Sequence, residues 1–185
     1  MCTEIEAKLK VDSLKEVERR LAEVGADFLE EQLQTDTYFD DTGAALKSSD
    51  RALRLRRQMA GKNEKFFLTY KGAKEKNEFK KRRQIEVEVG DGVSAQKLLL
   101  ALGYEKDLVF EKKRRIWRLG GCEVALDELP LLGTFVEIEG PDWESIADVQ
   151  KNLGLSDLPH IVESYALLIE EKLCQLGKTE RQVLL

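Results

Sequence analysis

The sequence predicts an α+β protein built on one large antiparallel sheet or barrel. Eight or nine segments show the two-residue alternation of β-strands, and four others repeat apolar residues at helical spacing. Charged residues make up 35% of the 185 residues, above the ~25% that is usual, yet the net charge is only −5 and 42% of residues are hydrophobic. We therefore expect a folded chain with a sizeable core rather than disorder.

β-Strands are predicted along much of the chain. Alternation or β-branched and aromatic content marks nine segments: 3–11, 35–40, 44–47, 51–59, 64–71, 80–89, 108–119, 122–127 and 134–140. The polar, lysine-rich stretch 73–81 lies between two of them and is predicted to be a flexible connection. With no other boundary visible, residues 1–185 are predicted to form one domain, with a core at about 3–176 and a frayed tail at 177–185.

The helix predictions rest on caps and spacing. Ser13 can cap a helix that carries Leu14, Val17 and Leu21 and ends at Gly25. Ser94 can cap a second helix over 95–102, a third is predicted over 143–153, and a fourth begins near Val162. Four amphipathic helices are enough to cover one face of a large sheet.

Composition excludes several classes of protein. The longest apolar runs, about five residues, are far short of the ~20 that span a bilayer. The N-terminal residues show no secretory signal, and the three cysteines are too far apart for a disulfide framework or a metal motif. We expect a cytoplasmic protein with reduced thiols and a lone surface histidine, His160. The acidic net charge argues against a nucleic-acid surface.

Strand parity places charged residues of both signs on one face of at least six strands. These residues include Glu4, Glu6, Lys8, Arg54, Arg56, Lys71, Arg82, Glu86, Glu88, Glu123, Asp127, Glu137 and Glu139. An ordinary half-buried sheet would turn this face to water. A closed barrel would instead enclose it as a charged tunnel, and the pattern alone does not decide between the two.

A charged tunnel suits a charged ligand. Buried charges are costly unless they are paired or coordinated. Lysines and arginines can hold phosphate oxygens, while carboxylates without histidine or thiolate suit Mg²⁺ or Mn²⁺.

In their order along the chain, these motifs resemble the CYTH family, also called the triphosphate tunnel metalloenzymes. The first is the strand Glu4-Ile5-Glu6-Ala7-Lys8, which matches the pattern E-x-E-x-K. The blocks TYFDDTGAALKSSDRALRLRR, LTYKG, RRQIEVEV, EKKRRIW, VALDELPLLGTFVEIE and ESYALLI follow, so the resemblance covers roughly residues 3–170. Two positions depart from the family pattern: Gln84 stands where an acid is common, and Trp117 where tyrosine is commoner.

The resemblance implies an eight-stranded antiparallel tunnel with helices outside that binds a triphosphate small molecule. The implied phosphate-binding residues are Lys8, Arg54, Arg56, Lys71, Arg82, Lys112 and Arg114, of which Lys8, Lys71, Lys112 and Arg114 are the implied catalytic residues. The implied ligands of Mg²⁺ or Mn²⁺ are Glu4, Glu6, Asp127, Glu137 and Glu139. Glu86 and Glu88 are implied to support the site. A homodimer is compatible with the resemblance.

Three functions stay open at this point. The first is an enzyme of the class IV adenylate cyclase type, which either cyclises ATP to cyclic AMP and pyrophosphate or hydrolyses a triphosphate. The second is a non-catalytic nucleotide- or polyphosphate-binding module, against which the two acidic pairs Glu4-x-Glu6 and Glu137-x-Glu139 speak. The third is a structural protein with a solvated charged face. The residues do not identify the general base.

Overall fold

The computed structural model describes the backbone of residues 2–74 and 81–185 and the side chains of residues 5–73 and 83–185. In chain order its elements are β1 (Cys2–Val11), α1 (Leu14–Glu23), β2 (Asp27–Asp40), α2 (Ala45–Ser48), β3 (Ala52–Ala60), β4 (Asn63–Lys74), β5 (Lys81–Val89), α3 (Gly92–Ala101), β6 (Glu105–Leu119), β7 (Cys122–Leu129), β8 (Gly133–Glu139), α4 (Trp143–Asn152), α5 (Tyr165–Gln175) and β9 (Gln182–Val183). The predicted connection 73–81 falls largely on residues 75–80, which lie outside this description.

Strands β1 to β8 form an antiparallel ring. They follow the order β2-β3-β4-β5-β1-β8-β7-β6, and β2 pairs in turn with β6, so that the two ends of the order meet. The β2–β6 ladder runs from Asp27↔Arg118 to Asp40↔Glu105. The predicted α+β barrel is therefore confirmed, and alternate side chains of every strand face its interior.

The outer face of the barrel is covered by apolar helix faces. Helix α1 begins after Ser13, whose side chain accepts a hydrogen bond from the Glu16 amide. Its Leu21 is fully buried, as is Ile146 of α4, and both pack in one core with the outward residues of β1, β7 and β8. Burial of this face fixes which side of each strand points outward, because a one-residue slip would expose it. No helix among the described residues has the length and apolar character needed to cross a membrane.

Helix α5 packs at one end of the barrel. Its Tyr165, Ile169 and Leu173 belong to one buried apolar cluster with Phe110 of β6 and Phe135 of β8. The rings of Phe135 and Tyr165 meet edge to face with centroids 5.2 Å apart. Phe110 and Phe135 share the parity of the inward-facing charges on their strands, so apolar packing against α5 closes this end of the interior.

The segment 44–47 is not the predicted strand. It forms the short helix α2, entered through Ala44 with a left-handed φ of 52°. The carboxylate of Asp40 accepts hydrogen bonds from the amides of Leu46 (2.9 Å) and Lys47 (2.8 Å). The prediction was wrong because alternation over four residues carries little information, whereas Asp40 satisfies amides that a strand would leave unpaired.

The C-terminal segment is not frayed as predicted. Strand β9 pairs in parallel with β6, Val183 is buried, and Arg181 Nε donates to the Asp107 carbonyl at 2.7 Å. Asp91, rather than Ser94, caps α3. The tail is ordered by a strand that is distant in sequence, whereas the cap of α3 is local and lies three residues before the predicted one.

Candidate active site

The barrel encloses a charged cavity of about 260 Å³. Most of the predicted site residues line it: Glu6, Lys8, Arg54, Arg56, Lys71, Glu86, Lys112, Arg114, Glu137 and Glu139. Asp127 lies behind this lining, bonded to Arg114. Glu88 lies away from the cavity, and its carboxylate pairs with Lys65 at 3.5 Å. The side chains of Glu4 and Arg82 are outside the described residues, and their backbones lie opposite each other on β1 and β5.

Asp127 anchors one cationic wall of the cavity. Its side chain is fully buried. It accepts two hydrogen bonds from the guanidinium of Arg114, at 2.7 and 2.5 Å, and one from the Tyr165 hydroxyl at 2.9 Å. Lys112 Nζ lies 3.6 Å from the same carboxylate. Donors thus already surround Asp127, and its predicted role as a metal ligand stays a prediction.

Asp36 anchors a second group of cations in the same way. Its buried carboxylate accepts two hydrogen bonds from Arg56, at 2.6 and 2.7 Å, and lies 3.7 Å from Arg54 Nη1. Burial alone would raise the pKa of Asp36, but Arg56 and Arg54 lower it well below its usual range. The sequence prediction missed Asp36, because its role depends on the β2–β3 register that places it opposite Arg56.

Tyr165 joins the cations at the closed end of the barrel. Lys8 Nζ lies 4.1 Å from the centre of its ring and Lys112 Nζ lies 5.1 Å from it. Lys8 Nζ also donates to the Glu163 carbonyl at 2.8 Å and pairs with Glu137 at 3.3 Å. Tyr165 belongs to a motif that the sequence singled out without a role, and here it orients two buried ammonium groups.

Opposite charges are also paired elsewhere in the lining of the cavity. Arg114 bonds to Glu137 as well as to Asp127, and Arg54 Nη2 lies 3.5 Å from Glu86. An incoming polyanion would replace carboxylate oxygens with phosphate oxygens around the same donors. The arrangement thus offers several cationic donors to an anionic ligand.

Carboxylates also meet across three neighbouring strands. Glu6 lies directly opposite Glu139, and Glu139 directly opposite Glu123. Like charges in such cross-strand pairs repel, which a bound cation would relieve. The donors are all oxygens and suit Mg²⁺ or Mn²⁺, although the described side chains contain no cluster of three that converges on one metal position. Glu123 lines the cavity and was absent from the predicted ligand set.

Burial and the neighbouring Arg114 lower the pKa of Lys112 to about 7. Asp127 and Glu137 oppose this shift, and Arg56 adds to it. A polyanion in the cavity would stabilise the ammonium form and raise the pKa again. We therefore expect part of the Lys112 side chains to be neutral near pH 7 in the unliganded protein and to be protonated when a polyanion binds.

This coupling predicts proton uptake on ligand binding. At pH 8.5 the protein should take up about one proton at most when it binds a non-hydrolysable ATP analogue. At pH 6, where Lys112 is already charged, it should take up almost none. Affinity should accordingly fall as the pH rises above 7. Calorimetry in two buffers of different ionisation enthalpy measures the uptake, with EDTA present to prevent turnover. The Lys112→Met variant is the comparison, and equal uptake by the two proteins at pH 8.5 would rule Lys112 out as the proton acceptor.

Comparison with known proteins identifies a matching family and similar structures. The model of the CYTH domain matches residues 3–165. A protein of Methanocaldococcus jannaschii, named as a candidate adenylate cyclase, is 30% identical over 162 residues, which are 87% of this chain and 88% of that one. A solved structure from Pyrococcus horikoshii OT3 superposes with a TM-score of 0.80 at 29% identity and covers 91% of this chain and 99% of its own.

A more distant solved structure shares the fold. It is a Hippeastrum protein described as a candidate adenylyl cyclase with a dominant triphosphatase activity. Its TM-score is 0.68 at 20% identity, over 96% of this chain and 97% of that one.

Proposed function

Because this chain belongs to the CYTH domain family, we propose that it is a divalent-metal-dependent enzyme acting on the triphosphate of ATP or of another organic or inorganic compound. The observation that carries the proposal is the enclosed cavity into which Lys8, Arg54, Arg56, Lys112 and Arg114 converge from β1, β3 and β6. Cations enclosed in this way match the charge of a triphosphate chain.

The residues of the cavity would act mainly by positioning and by neutralising charge, which is what phosphoryl transfer requires. Arg54 and Arg56 would hold phosphate oxygens from β3, and Lys112 and Arg114 from β6. Asp36 and Asp127 keep these side chains in place. Water is largely displaced from the cavity by the substrate, so the remaining electrostatic interactions strengthen.

Glu6 and Glu139, with Glu4 and Glu137, are the carboxylates that we propose as ligands of Mg²⁺ or Mn²⁺. The bound ion would supply Lewis-acid stabilisation of negative charge on phosphate oxygens. Their placement on adjacent strands β1 and β8, with Glu6 opposite Glu139, supports this assignment.

Two reactions are compatible with the same cationic walls. In cyclisation the ribose 3′-hydroxyl attacks the α-phosphorus and pyrophosphate leaves; in hydrolysis water attacks the terminal phosphorus and orthophosphate leaves. The name of the Methanocaldococcus jannaschii relative favours cyclisation, and the activity described for the Hippeastrum protein favours hydrolysis. We therefore propose the triphosphate as the substrate group and leave the nucleophile to be identified by experiment.

Product analysis tests the proposal. The protein is incubated with ATP, thiamine triphosphate or tripolyphosphate, with Mg²⁺ or Mn²⁺ and with EDTA as the control, and the products are separated by chromatography. Cyclic AMP with pyrophosphate identifies a cyclase, whereas a diphosphate with orthophosphate identifies a triphosphatase. A rise in melting temperature with tripolyphosphate but no turnover would instead identify a binding module. If the protein neither turns over a triphosphate nor changes its melting temperature at millimolar ligand, every triphosphate-related function is contradicted.

A further inference from the structure

Gln34 of β2 ends a directional chain of side-chain hydrogen bonds. Its Nε2 donates to Gln32 Oε1 at 2.6 Å, and Gln32 Nε2 donates to Glu30 Oε1 at 2.5 Å. A carboxylate such as Glu30 only accepts hydrogen bonds, so it sets the direction of the whole chain. The amide oxygen of Gln34 is therefore left at the free end, and reversing the amide would place two acceptors against each other.

That oxygen is buried without a donor. The Gln34 side chain is 2% exposed and lines the charged cavity. Its Oε1 has no hydrogen-bond partner among the residues that the structure describes. By contrast, Gln150, a buried glutamine outside the barrel interior, bonds to His160 through its amide nitrogen at 2.9 Å. An unsatisfied buried acceptor destabilises the fold, and in native proteins such groups call for a specific reason.

The surroundings of Gln34 indicate which donor is missing. Gln34 lies directly opposite Lys112 on β6 and two residues from Asp36, which holds Arg56. It thus stands beside the cations proposed to bind phosphate. Ionised phosphate oxygens only accept hydrogen bonds and cannot satisfy an acceptor. A hydroxyl group can, and the nucleophile of either proposed reaction is a hydroxyl group, of water or of ribose.

We infer that Gln34 Oε1 accepts a hydrogen bond from the attacking hydroxyl and so positions it beside the bound phosphates. The inference rests on the proposed function. In hydrolysis the water oxygen bonds to phosphorus, the bridging P–O bond breaks with its electron pair remaining on the leaving diphosphate, and the water proton ends on the products or in solvent. Gln34 orients the O–H bond and takes no proton, since an amide oxygen is a very weak base. Hydrogen bonds of this kind tighten only when substrate is bound.

The Gln34→Met variant tests this positioning role, since methionine keeps the length of the side chain but has no amide oxygen. We expect kcat to fall by about 10²-fold, the effect typical of a misplaced reactant, with KM within about two-fold of wild type. The melting temperature without ligand should change little, because the variant removes the unpaired Oε1 of Gln34 but also the hydrogen bond that its Nε2 donates to Gln32 Oε1. Gln150→Met is the matched control, and it should lower the melting temperature through loss of the His160 bond while leaving kcat and KM unchanged.

The arms of the experiment separate the possible outcomes. With tripolyphosphate only water can attack, so a lower kcat of Gln34→Met with that substrate identifies water as the hydroxyl that Gln34 positions. A lower kcat confined to formation of the cyclic product from ATP identifies the ribose hydroxyl. Wild-type kcat in Gln34→Met would overturn the inference and leave the proposed function intact. A lower melting temperature together with a raised KM would show that Gln34 has only a structural role, and this result would also overturn the inference. A wild-type protein that turns over no triphosphate would overturn both.

Discussion

Replacing Asp127 with asparagine is expected to destabilise the unliganded protein by about 3–5 kcal/mol, the effect of removing one partner from a buried charged network. Asp127 is fully buried and faces the guanidinium of Arg114 and the ammonium of Lys112. Without the carboxylate these charges lose their main compensation, and asparagine leaves one acceptor oxygen for the donors of Arg114 and Tyr165. Urea unfolding followed by circular dichroism measures the change in the free energy of unfolding.

The measurement is made in EDTA, which separates the two roles of Asp127. A residue that served only as a metal ligand would affect stability little in the absence of metal, whereas an anchor of buried cations is needed there too. Glu128→Gln, at an exposed position near the end of the same strand, is the control and should stay within about 0.5 kcal/mol of wild type. If Asp127→Asn were equally mild, the anchoring role would be wrong. Tripolyphosphate should recover part of the lost stability by binding to the folded state.

Replacing Glu6 with glutamine is expected to lower metal-dependent turnover by about 10²-fold or more, while the protein still folds. Glu6 lines the cavity and lies directly opposite Glu139, so the pair offers four oxygen atoms to one cation. Glutamine keeps the shape but removes one negative charge from the proposed metal site. Because the change also relieves repulsion between cross-strand carboxylates, we expect the free energy of unfolding to change by less than about 1 kcal/mol.

Activity and metal affinity are measured together for this variant. Calorimetric or electron paramagnetic resonance titration with Mn²⁺ should show weakened binding, and added Mn²⁺ should restore part of the turnover. Glu31→Gln, on the exposed outer face of β2, should match wild type in both assays. Activity and Mn²⁺ affinity that are unchanged in Glu6→Gln would remove Glu6 from the metal site.

Much of the fold was predictable because strand and helix periods are local properties. Alternation located eight barrel strands, although it found only the second half of β2, and the caps and spacing located four of the helices. The failures share one cause. Asp40 turns residues 44–47 into α2 by bonding two backbone amides, and the tail is ordered by pairing with β6. Both effects come from contacts that the affected segment does not itself encode.

The same division holds for the candidate site. The sequence by itself determined which charged side chains share a face, because successive side chains of a strand point to opposite sides. Only the tertiary structure decided which of them meet. Closure of the ring through β2 and β6 turns the charged face inward, and the registers between strands place Asp36 against Arg56 and Asp127 against Arg114. Those registers follow from burying the outer apolar face against the helices, and so the contacts of Asp36, Gln34 and Tyr165 emerged only from the packed barrel.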